Sequence, residues 1–190
     1  MMKKNVTPEG KNEALRQLQL EQNSAITRGG ISTILSAAAL AASAIWLPSF
    51  IRFPSGSTEG VIFAVRANII PAIVLMIAIR YVARIRFSST LDNRGSAFSA
   101  PSPRLAVPAA FLQNTLEQTM LWTLSSIALA ATGSPSAMAY ISAGMVLFVA
   151  GRIAFFISYS AGAGARSFGM VMTMIPTTGA IAWVLVSWVL

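Results

Sequence analysis

The sequence contains no cysteine and no histidine, and only six of its 190 residues are acidic. Without cysteine, the chain forms no disulfide and supplies no thiolate of its own. Without histidine, it offers no imidazole to a haem or a transition metal. One carboxylate in the long apolar stretches is also too few for a carboxylate-bridged metal site. We therefore expect no metal centre in this protein.

Charge of either sign is scarce: 11% of the residues are charged, whereas soluble domains carry about a quarter. Hydrophobic residues make up 55% of the chain and the mean hydropathy is +0.65, which is typical of an integral membrane protein. The formal net charge is +8, but the basic residues lie mainly at the ends of apolar stretches. The positive-inside rule explains that distribution, so we expect membrane lipids and no nucleic acid as partners.

Five apolar stretches are each long enough to cross the hydrocarbon core, which takes about 20 helical residues. They cover residues 31–50, 61–82, 105–132, 137–159 and 167–190. Pro71 is expected to bend the second span, and Pro108 lies in the first turn of the third. The sequence therefore predicts an all-α integral membrane protein.

Residues 1–30 form a polar N-terminal arm in which acidic residues precede basic ones, as the helix dipole favours. Thr7 is a candidate N-cap, and Gly29-Gly30 would end the helix. A short cytoplasmic helix on the bilayer surface and a solvated, loosely ordered arm both fit this pattern. Residues 31–51 follow as an additional transmembrane helix. An uncleaved anchor is favoured over a signal peptide because three glutamates precede it.

The basic residues divide unequally between the two sides of the five predicted spans. One side receives Lys3, Lys4, Lys11, Arg16, Arg28, Arg84, Arg86, Arg94, Arg104 and Arg166. The other side receives only Arg52 and Arg66. The positive-inside rule therefore predicts a cytoplasmic N-terminus and a C-terminus on the opposite side. The expected location is the inner membrane of a bacterium.

Glu117 is the only acidic residue in the long apolar stretches. On a helix it shares one face with Asn114 and Gln118, and Gln113 lies one turn before it. A carboxylate in hydrocarbon costs at least a few kcal/mol, so this polar seam has to be covered by the rest of the protein.

Arg152 is the natural partner for Glu117, since both are expected about 20 Å above the cytoplasmic rim of antiparallel neighbouring helices. Tyr159 and Arg166 continue the Arg152 face toward the membrane surface. Two interpretations remain open from the residues alone. The ion pair is either a structural clamp between helices, or one wall of a cytoplasm-facing cleft for a small zwitterionic or anionic ligand.

The order of these residues resembles a known family. Asn114-x-x-Glu117 in one span is followed by Gly151-Arg152-Ile153, then Tyr159, then Arg166 in an Ala-Arg-Ser-Phe-Gly segment. This pattern resembles the membrane-associated proteins in eicosanoid and glutathione metabolism (MAPEG), which include the microsomal glutathione transferases. The resemblance implies a MAPEG-like four-helix transmembrane domain over residues 61–190, with one additional N-terminal transmembrane helix. It further implies a homotrimer with glutathione bound between neighbouring protomers.

The resemblance also implies roles for individual residues. The candidate glutathione-binding residues are Asn114, Glu117, Gln118, Arg152, Tyr159 and Arg84. Of these, Arg152 would buttress Glu117. Arg166 would be catalytic, since a guanidinium beside a thiol favours the ionised form.

Two positions depart from the glutathione-binding pattern: Ala110 stands where an Arg is expected, and Phe155 where a Tyr is expected. The leading hypothesis is a glutathione-dependent transferase or peroxidase acting on lipophilic electrophiles, with glutathione in a cytoplasm-facing intersubunit cleft. The alternative is a non-catalytic trimeric membrane protein that binds lipid or serves as a subunit of a larger membrane complex. A transporter has little support, since the five spans show no internal repeat.

Overall fold

The computed structural model of the protein describes residues 8–95, 98 and 100–189. In this part of the chain all regular structure is helical, as the sequence predicts. The helices are α1 (Pro8–Phe50), α2 (Ser57–Ala67), α3 (Ile69–Phe87), α4 (Pro103–Ala130), α5 (Pro135–Ser158) and α6 (Ala163–Val189). A single 3₁₀ turn, Tyr159–Ala161, joins α5 to the final helix.

Four helical segments of the described chain are long and apolar enough to cross a membrane: residues 12–50, 57–87, 135–161 and 163–189. Helix α4 has 28 residues but is not among them. Four polar side chains, Gln113, Asn114, Glu117 and Gln118, lower its hydropathy midway. The predicted third span is therefore a long helix whose apolar character is interrupted at its centre.

Helix α1 runs without interruption from Pro8 to Phe50, so the expectation that Gly29-Gly30 ends a helix is wrong. Gly29 is buried against α6, where an added Cβ would lie 3.4 Å from Cγ2 of Val171. At this distance a methyl group would be in ordinary van der Waals contact, so Gly29 lies against α6 and the helix continues through it. Residues 8–30 are helical, but they continue directly into residues 31–50 and do not form the separate short helix that was one of the two expectations. The predicted N-cap, Thr7, lies outside the described residues. A helix of 43 residues is about 65 Å long, twice the hydrocarbon thickness.

Small side chains let α1 approach α6 closely. Ser32 and Ser36 are fully buried, and the Ser32 hydroxyl donates a hydrogen bond to the Phe168 carbonyl at 2.8 Å. Leu40 and Ser43 continue the same buried stripe at helical spacing. The outer face of α1 exposes Ile34, Leu35 and Trp46. The additional helix is thus packed along the length of the bundle.

The predicted second span is divided into α2 and α3 by a break at Asn68, three residues before the proline expected to bend it. Pro71 has no N–H to donate to the carbonyl one turn earlier, so the helical ladder is interrupted at this point. The Asn68 amide donates to the Ala64 carbonyl at 2.8 Å and to the Ser126 hydroxyl at 2.9 Å. Thr123 of α4 donates to its oxygen at 3.1 Å. The side chain of Asn68 therefore connects the chain at this break to α4 by hydrogen bonds.

The turns after α1 and after α4 meet at one end of the bundle. The Gly56 N–H donates to the Gly133 carbonyl at 3.0 Å, and Gly133 has φ of 71°. Their contact agrees with the alternating direction of the five predicted spans. The opposite end carries Arg84, Arg86, Arg94 and Arg104, and is called the basic end below.

Helices α5 and α6 cross at two glycines with their backbones in contact. An added Cβ at Gly151 would lie 2.7 Å from Cγ2 of Thr173 and 2.9 Å from the Gly169 carbonyl. An added Cβ at Gly169 would collide with the backbone of Phe155. This crossing brings Arg152, which follows Gly151, directly against α6.

At the basic end, Asp92 holds the loop between α3 and α4. Its carboxylate accepts the Ser102 backbone N–H at 2.9 Å and the hydroxyls of Ser102 and Ser89 at 2.7 and 2.8 Å. These hydrogen bonds hold the pKa of Asp92 below its ordinary value of 3.8, and the bond from the Ser102 backbone contributes most. Because Ser102 immediately precedes α4, the carboxylate fixes where that helix begins.

Replacing Asp92 should cost stability in a pH-dependent way. A carboxyl group whose pKa is lowered by folding contributes stability above its unfolded pKa, and loses it as pH falls through the folded pKa. Asp92→Ala should therefore lower the thermal unfolding midpoint in detergent at neutral pH. The difference from the wild type should shrink as the pH falls below about 4. Glu13→Ala, which removes an exposed acid of α1, is the matched control. A difference between Asp92→Ala and the wild type that is equal at all pH values would contradict this account.

Candidate functional site

Arg152 of α5 connects three helices inside the bundle. Its side chain is 1% exposed. Its Nη1 donates to Oδ1 of Asn114 in α4 at 2.6 Å, and its Nη2 donates to Oγ1 of Thr173 in α6. The guanidinium carbon lies 4.7 Å from the centroid of the Phe155 ring. The buried cation is thus held by neutral groups.

The predicted ion pair between Arg152 and Glu117 is wrong within the chain. Glu117 is exposed, and its Oε1 accepts a hydrogen bond from Gln113 at 2.9 Å. The sequence placed Glu117 and Arg152 at similar depths but did not fix the rotation of α4. Three residues along a helix leave side chains about 60° apart. Here that rotation directs Asn114 toward α5, so Arg152 buttresses Asn114 and not Glu117.

The polar seam is consequently divided between the inside and the outside of the protomer. Gln118 is 5% exposed, and its Oε1 has no hydrogen-bond partner among the described residues. Asn114 is half-buried, while Gln113 and Glu117 are exposed. Asn114, Glu117 and Gln118 therefore do not share one covered face of α4, since Gln118 points into the protomer and Glu117 points out of it.

The outward face of α4 is apolar apart from Gln113 and Glu117. Leu116, Met120 and Leu124 are exposed on it, Leu124 to 63%. A carboxylate on such a face is costly if hydrocarbon surrounds it. This face is therefore the part of the protomer that most requires a covering surface.

Arg152, Phe155, Tyr159 and Arg166 form a continuous series of contacts toward the basic end, called the cation–aromatic line below. The Phe155 and Tyr159 rings meet edge to face with centroids 5.3 Å apart. The Arg166 guanidinium carbon lies 4.8 Å from the Tyr159 centroid. The sequence placed Arg152, Tyr159 and Arg166 on one line, and the structure brings them together. The sequence analysis did not predict that Phe155 connects Arg152 to Tyr159, although the spacing of these three residues is helical.

Arg166 lies inside α6, which begins at Ala163, whereas the sequence placed it just before the final span. The turn that precedes α6 contains Gly162 at φ of 101°. The Arg166 N–H donates to the Gly162 carbonyl at 3.3 Å. Both Arg166 and Tyr159 are half-buried, so each presents part of its side chain to the surroundings.

The remaining predicted residue, Arg84, lies in the last turn of α3 and is exposed. Among the described residues its guanidinium makes no hydrogen bond or ion pair, so one chain does not bring Arg84 into the cation–aromatic line. Ala110 is half-buried on α4. No group of three or more acidic residues in the described part of the chain could hold a metal ion.

An apolar groove of about 510 Å³ lies beside Arg152. Its walls are formed by α3, α4 and α5 and include Ala78, Tyr81, Phe111, Arg152 and Phe156. The Phe111 and Phe156 rings meet at 4.9 Å between their centroids. The groove therefore offers an aliphatic and aromatic surface next to the buried cation.

The long apolar helices and the buried cation within them define a multi-pass integral membrane protein. The model of the MAPEG family matches residues 61–186, which is more than half of the chain. The protein therefore belongs to the MAPEG family, as the order of the motif residues along the sequence indicated. Helix α1 lies outside the matched region. No curated protein and no solved structure matches the chain.

The Arg152–Asn114 contact predicts a coupling that can be measured. The substitutions Arg152→Met and Asn114→Ala should be non-additive in a double-mutant cycle on unfolding in detergent. The coupling should be about 0.5–3 kcal/mol, because each single change leaves a buried group without its partner. Gln113→Ala, on the adjacent exposed residue, is the control and should be additive with Arg152→Met. Additive losses for Arg152 and Asn114 would contradict the contact.

Proposed function

We propose that the protein is a glutathione-dependent transferase or peroxidase that acts on lipophilic electrophiles. The observation that carries the proposal is the stacking of the Arg166 guanidinium on the Tyr159 ring at 4.8 Å, in a chain that belongs to the MAPEG family. These are the two residues for which the family resemblance implies thiolate stabilisation and ligand contact. Their shared position at the end of the cation–aromatic line supports a common site.

Arg166 has the chemistry that thiol activation requires. A thiol has an ordinary pKa of about 8.5, and a fixed positive charge nearby favours the thiolate. In a transfer reaction the thiol proton passes to solvent and the sulfur forms a bond to the electrophilic carbon as the leaving group departs. In a peroxidase reaction two glutathione thiols are oxidised to the disulfide, and a hydroperoxide is reduced to an alcohol and water.

The contacts of Asn114 favour its role in binding the glutathione peptide. Because its Oδ1 accepts from Arg152, its Nδ2 group is free to donate in another direction. Asn114 is half-buried beside the exposed Glu117. An amide donor next to a carboxylate suits a zwitterionic peptide, which presents both carboxylate and ammonium groups.

We propose a homotrimer in which neighbouring copies cover the outward face of α4. The burden of an exposed carboxylate among Leu116, Met120 and Leu124 supports such an assembly. Glutathione would then lie between protomers, at the end that the charges predict to be cytoplasmic. Arg84 is exposed and unpaired within its own described chain, so it is available to a ligand held by a neighbour.

The second candidate is a non-catalytic trimeric membrane protein that binds lipid or joins a larger membrane complex. Two observations favour it. Phe155 is buried against Phe111 and Tyr159 and provides no hydroxyl for a ligand. The groove beside Arg152 is almost entirely apolar in its lining, which suits an acyl chain better than a peptide.

Substitution of Arg166 tests the enzymatic proposal. Lysine keeps the charge but loses the planar donor group, and alanine loses both. Arg166→Lys should therefore reduce the ultraviolet absorbance of bound thiolate and the conjugation of a chloronitrobenzene, and Arg166→Ala should abolish both. A shift of two units in the thiol pKa corresponds to about 2.7 kcal/mol of stabilisation. Arg94→Ala, an exposed base at the same end of the bundle, is the control.

The wild-type protein must first bind glutathione, which calorimetry of the detergent-purified protein measures directly. Absence of binding would favour the non-catalytic candidate. Conjugation by Arg166→Ala at the wild-type rate would reduce Arg166 to a membrane-surface anchor.

The trimer can be tested separately by mass measurement of the detergent-purified complex. We expect three copies in the wild type. Glu117→Gln should keep the assembly, because it removes the charge from the covered face, and should weaken glutathione binding. Glu117→Lys should weaken the assembly. A wild-type protein found only as single copies would contradict the proposed intersubunit site.

A further inference from the structure

Helix α1 lies outside the region matched by the family model, yet it reaches the segment that carries Tyr159 and Arg166. Glu21 of α1 is half-buried, and its Oε2 accepts the Gly164 backbone N–H at 2.8 Å. Gly164 lies in the first turn of α6, whose N–H groups have no partner within their own helix. A carboxylate at this position satisfies one of these donors and also interacts favourably with the helix dipole.

Two glycines make room for this contact. Gly162 has φ of 101°, and an added Cβ there would collide with the Glu21 carboxylate. An added Cβ at Gly164 would lie 2.6 Å from the Ser24 hydroxyl oxygen and 2.7 Å from its Cβ. A larger side chain at Gly164 would displace α1, whereas at Gly162 it would displace the Glu21 carboxylate and strain the backbone. Gly162 and Gly164 thus leave the space that α1 occupies beside the turn.

Helix α1 is attached to α6 on both sides of Arg166. Glu21 binds Gly164, two residues before Arg166, and Ser32 donates to the Phe168 carbonyl, two residues after it, at 2.8 Å. Between these contacts, the Arg166 N–H bonds the Gly162 carbonyl and its guanidinium lies over Tyr159. A turn rich in glycine and alanine has high conformational entropy of its own. The two contacts with α1 restrict it.

We infer that α1 positions the candidate active site, and that Glu21 is a positioning residue that acts on Arg166 through the first turn of α6. The inference rests on the proposed function for the part that concerns glutathione. Among the described residues Glu21 and Arg166 form no ion pair, so the carboxylate does not neutralise the guanidinium. Glu21 instead fixes the backbone from which the guanidinium extends.

The test compares three variants of Glu21 in the full-length, detergent-purified protein. Glu21→Ala removes the acceptor. Glu21→Asp keeps the charge but withdraws it by one carbon, and Glu21→Gln keeps an acceptor oxygen at the original distance. Glu13→Ala, which removes an exposed acid from the same helix two turns earlier, is the control.

Amide hydrogen exchange of residues 159–168 is the first readout and needs no glutathione. Exchange should be about tenfold faster in Glu21→Ala, because a charge-assisted hydrogen bond at the helix start is lost. Glu21→Asp should resemble Glu21→Ala, and Glu21→Gln, which keeps the acceptor without the charge, should recover part of the protection. Glu13→Ala should match the wild type. Unchanged exchange in Glu21→Ala would overturn the inference.

The pH at which half of the bound glutathione is thiolate is the second readout. In Glu21→Ala it should rise and kcat should fall, with the KM for glutathione changed less, while Glu21→Gln should restore part of both. Faster exchange without any change in the thiolate midpoint would overturn the positioning role and leave α1 as a structural brace. A wild type that binds no glutathione would refute the proposed function and the catalytic part of this inference. The exchange result would still decide whether Glu21 braces the turn.

Discussion

The buried guanidinium of Arg152 is the constraint on which the rest of the bundle depends. A cation in this interior is costly unless its donors are paired. Asn114 and Thr173 each accept one hydrogen bond from it, whereas its Nε has no partner among the described residues. These partners fix the rotation of α4 and α6 relative to α5. The glycine crossing beside it sets the distance between α5 and α6, and the Phe155 ring extends the contact toward Tyr159 and Arg166. One buried charge thus relates the packing of three helices to the geometry of the candidate site.

The helical class and the approximate spans follow from hydrophobicity, because it acts locally along the chain. The failures of prediction have a common cause, which is that tertiary contact decides between local alternatives. Gly29 ends a helix when it faces water, but here it lies against Val171 and the helix continues. Pro71 interrupts the second span as expected, with the break at Asn68. The hydrogen bonds of Asn68 with Ser126 and Thr123 of α4 are tertiary contacts that the local sequence does not indicate.

In the candidate site, too, local features were predicted from the sequence and tertiary contacts were not. Helical spacing correctly placed Tyr159 on the Arg152 face, because periodicity holds to the end of α5. Arg166 lies beyond the turn at Gly162, in α6, and it meets Tyr159 through a contact across that turn. The sequence did not predict which residues pair between neighbouring helices. It allowed the depth of each residue in the bilayer to be estimated, but not the rotation of each helix about its axis. Glu117 and Asn114 differ by less than one turn, yet one faces outward and the other faces the guanidinium. Contacts made by α1 were also inaccessible, because nothing in the local sequence around Glu21 indicates a partner in α6.

The fit of α1 against Gly162 and Gly164 has a consequence for the history of the family. A helix added to an existing four-helix domain restricts only the positions that it touches. Relatives that carry this helix should keep glycine at position 164, whereas relatives without it are free to replace it. Gly162, at φ of 101°, is required by its backbone in either case. Residue size in one short turn would then record which lineages acquired the N-terminal helix.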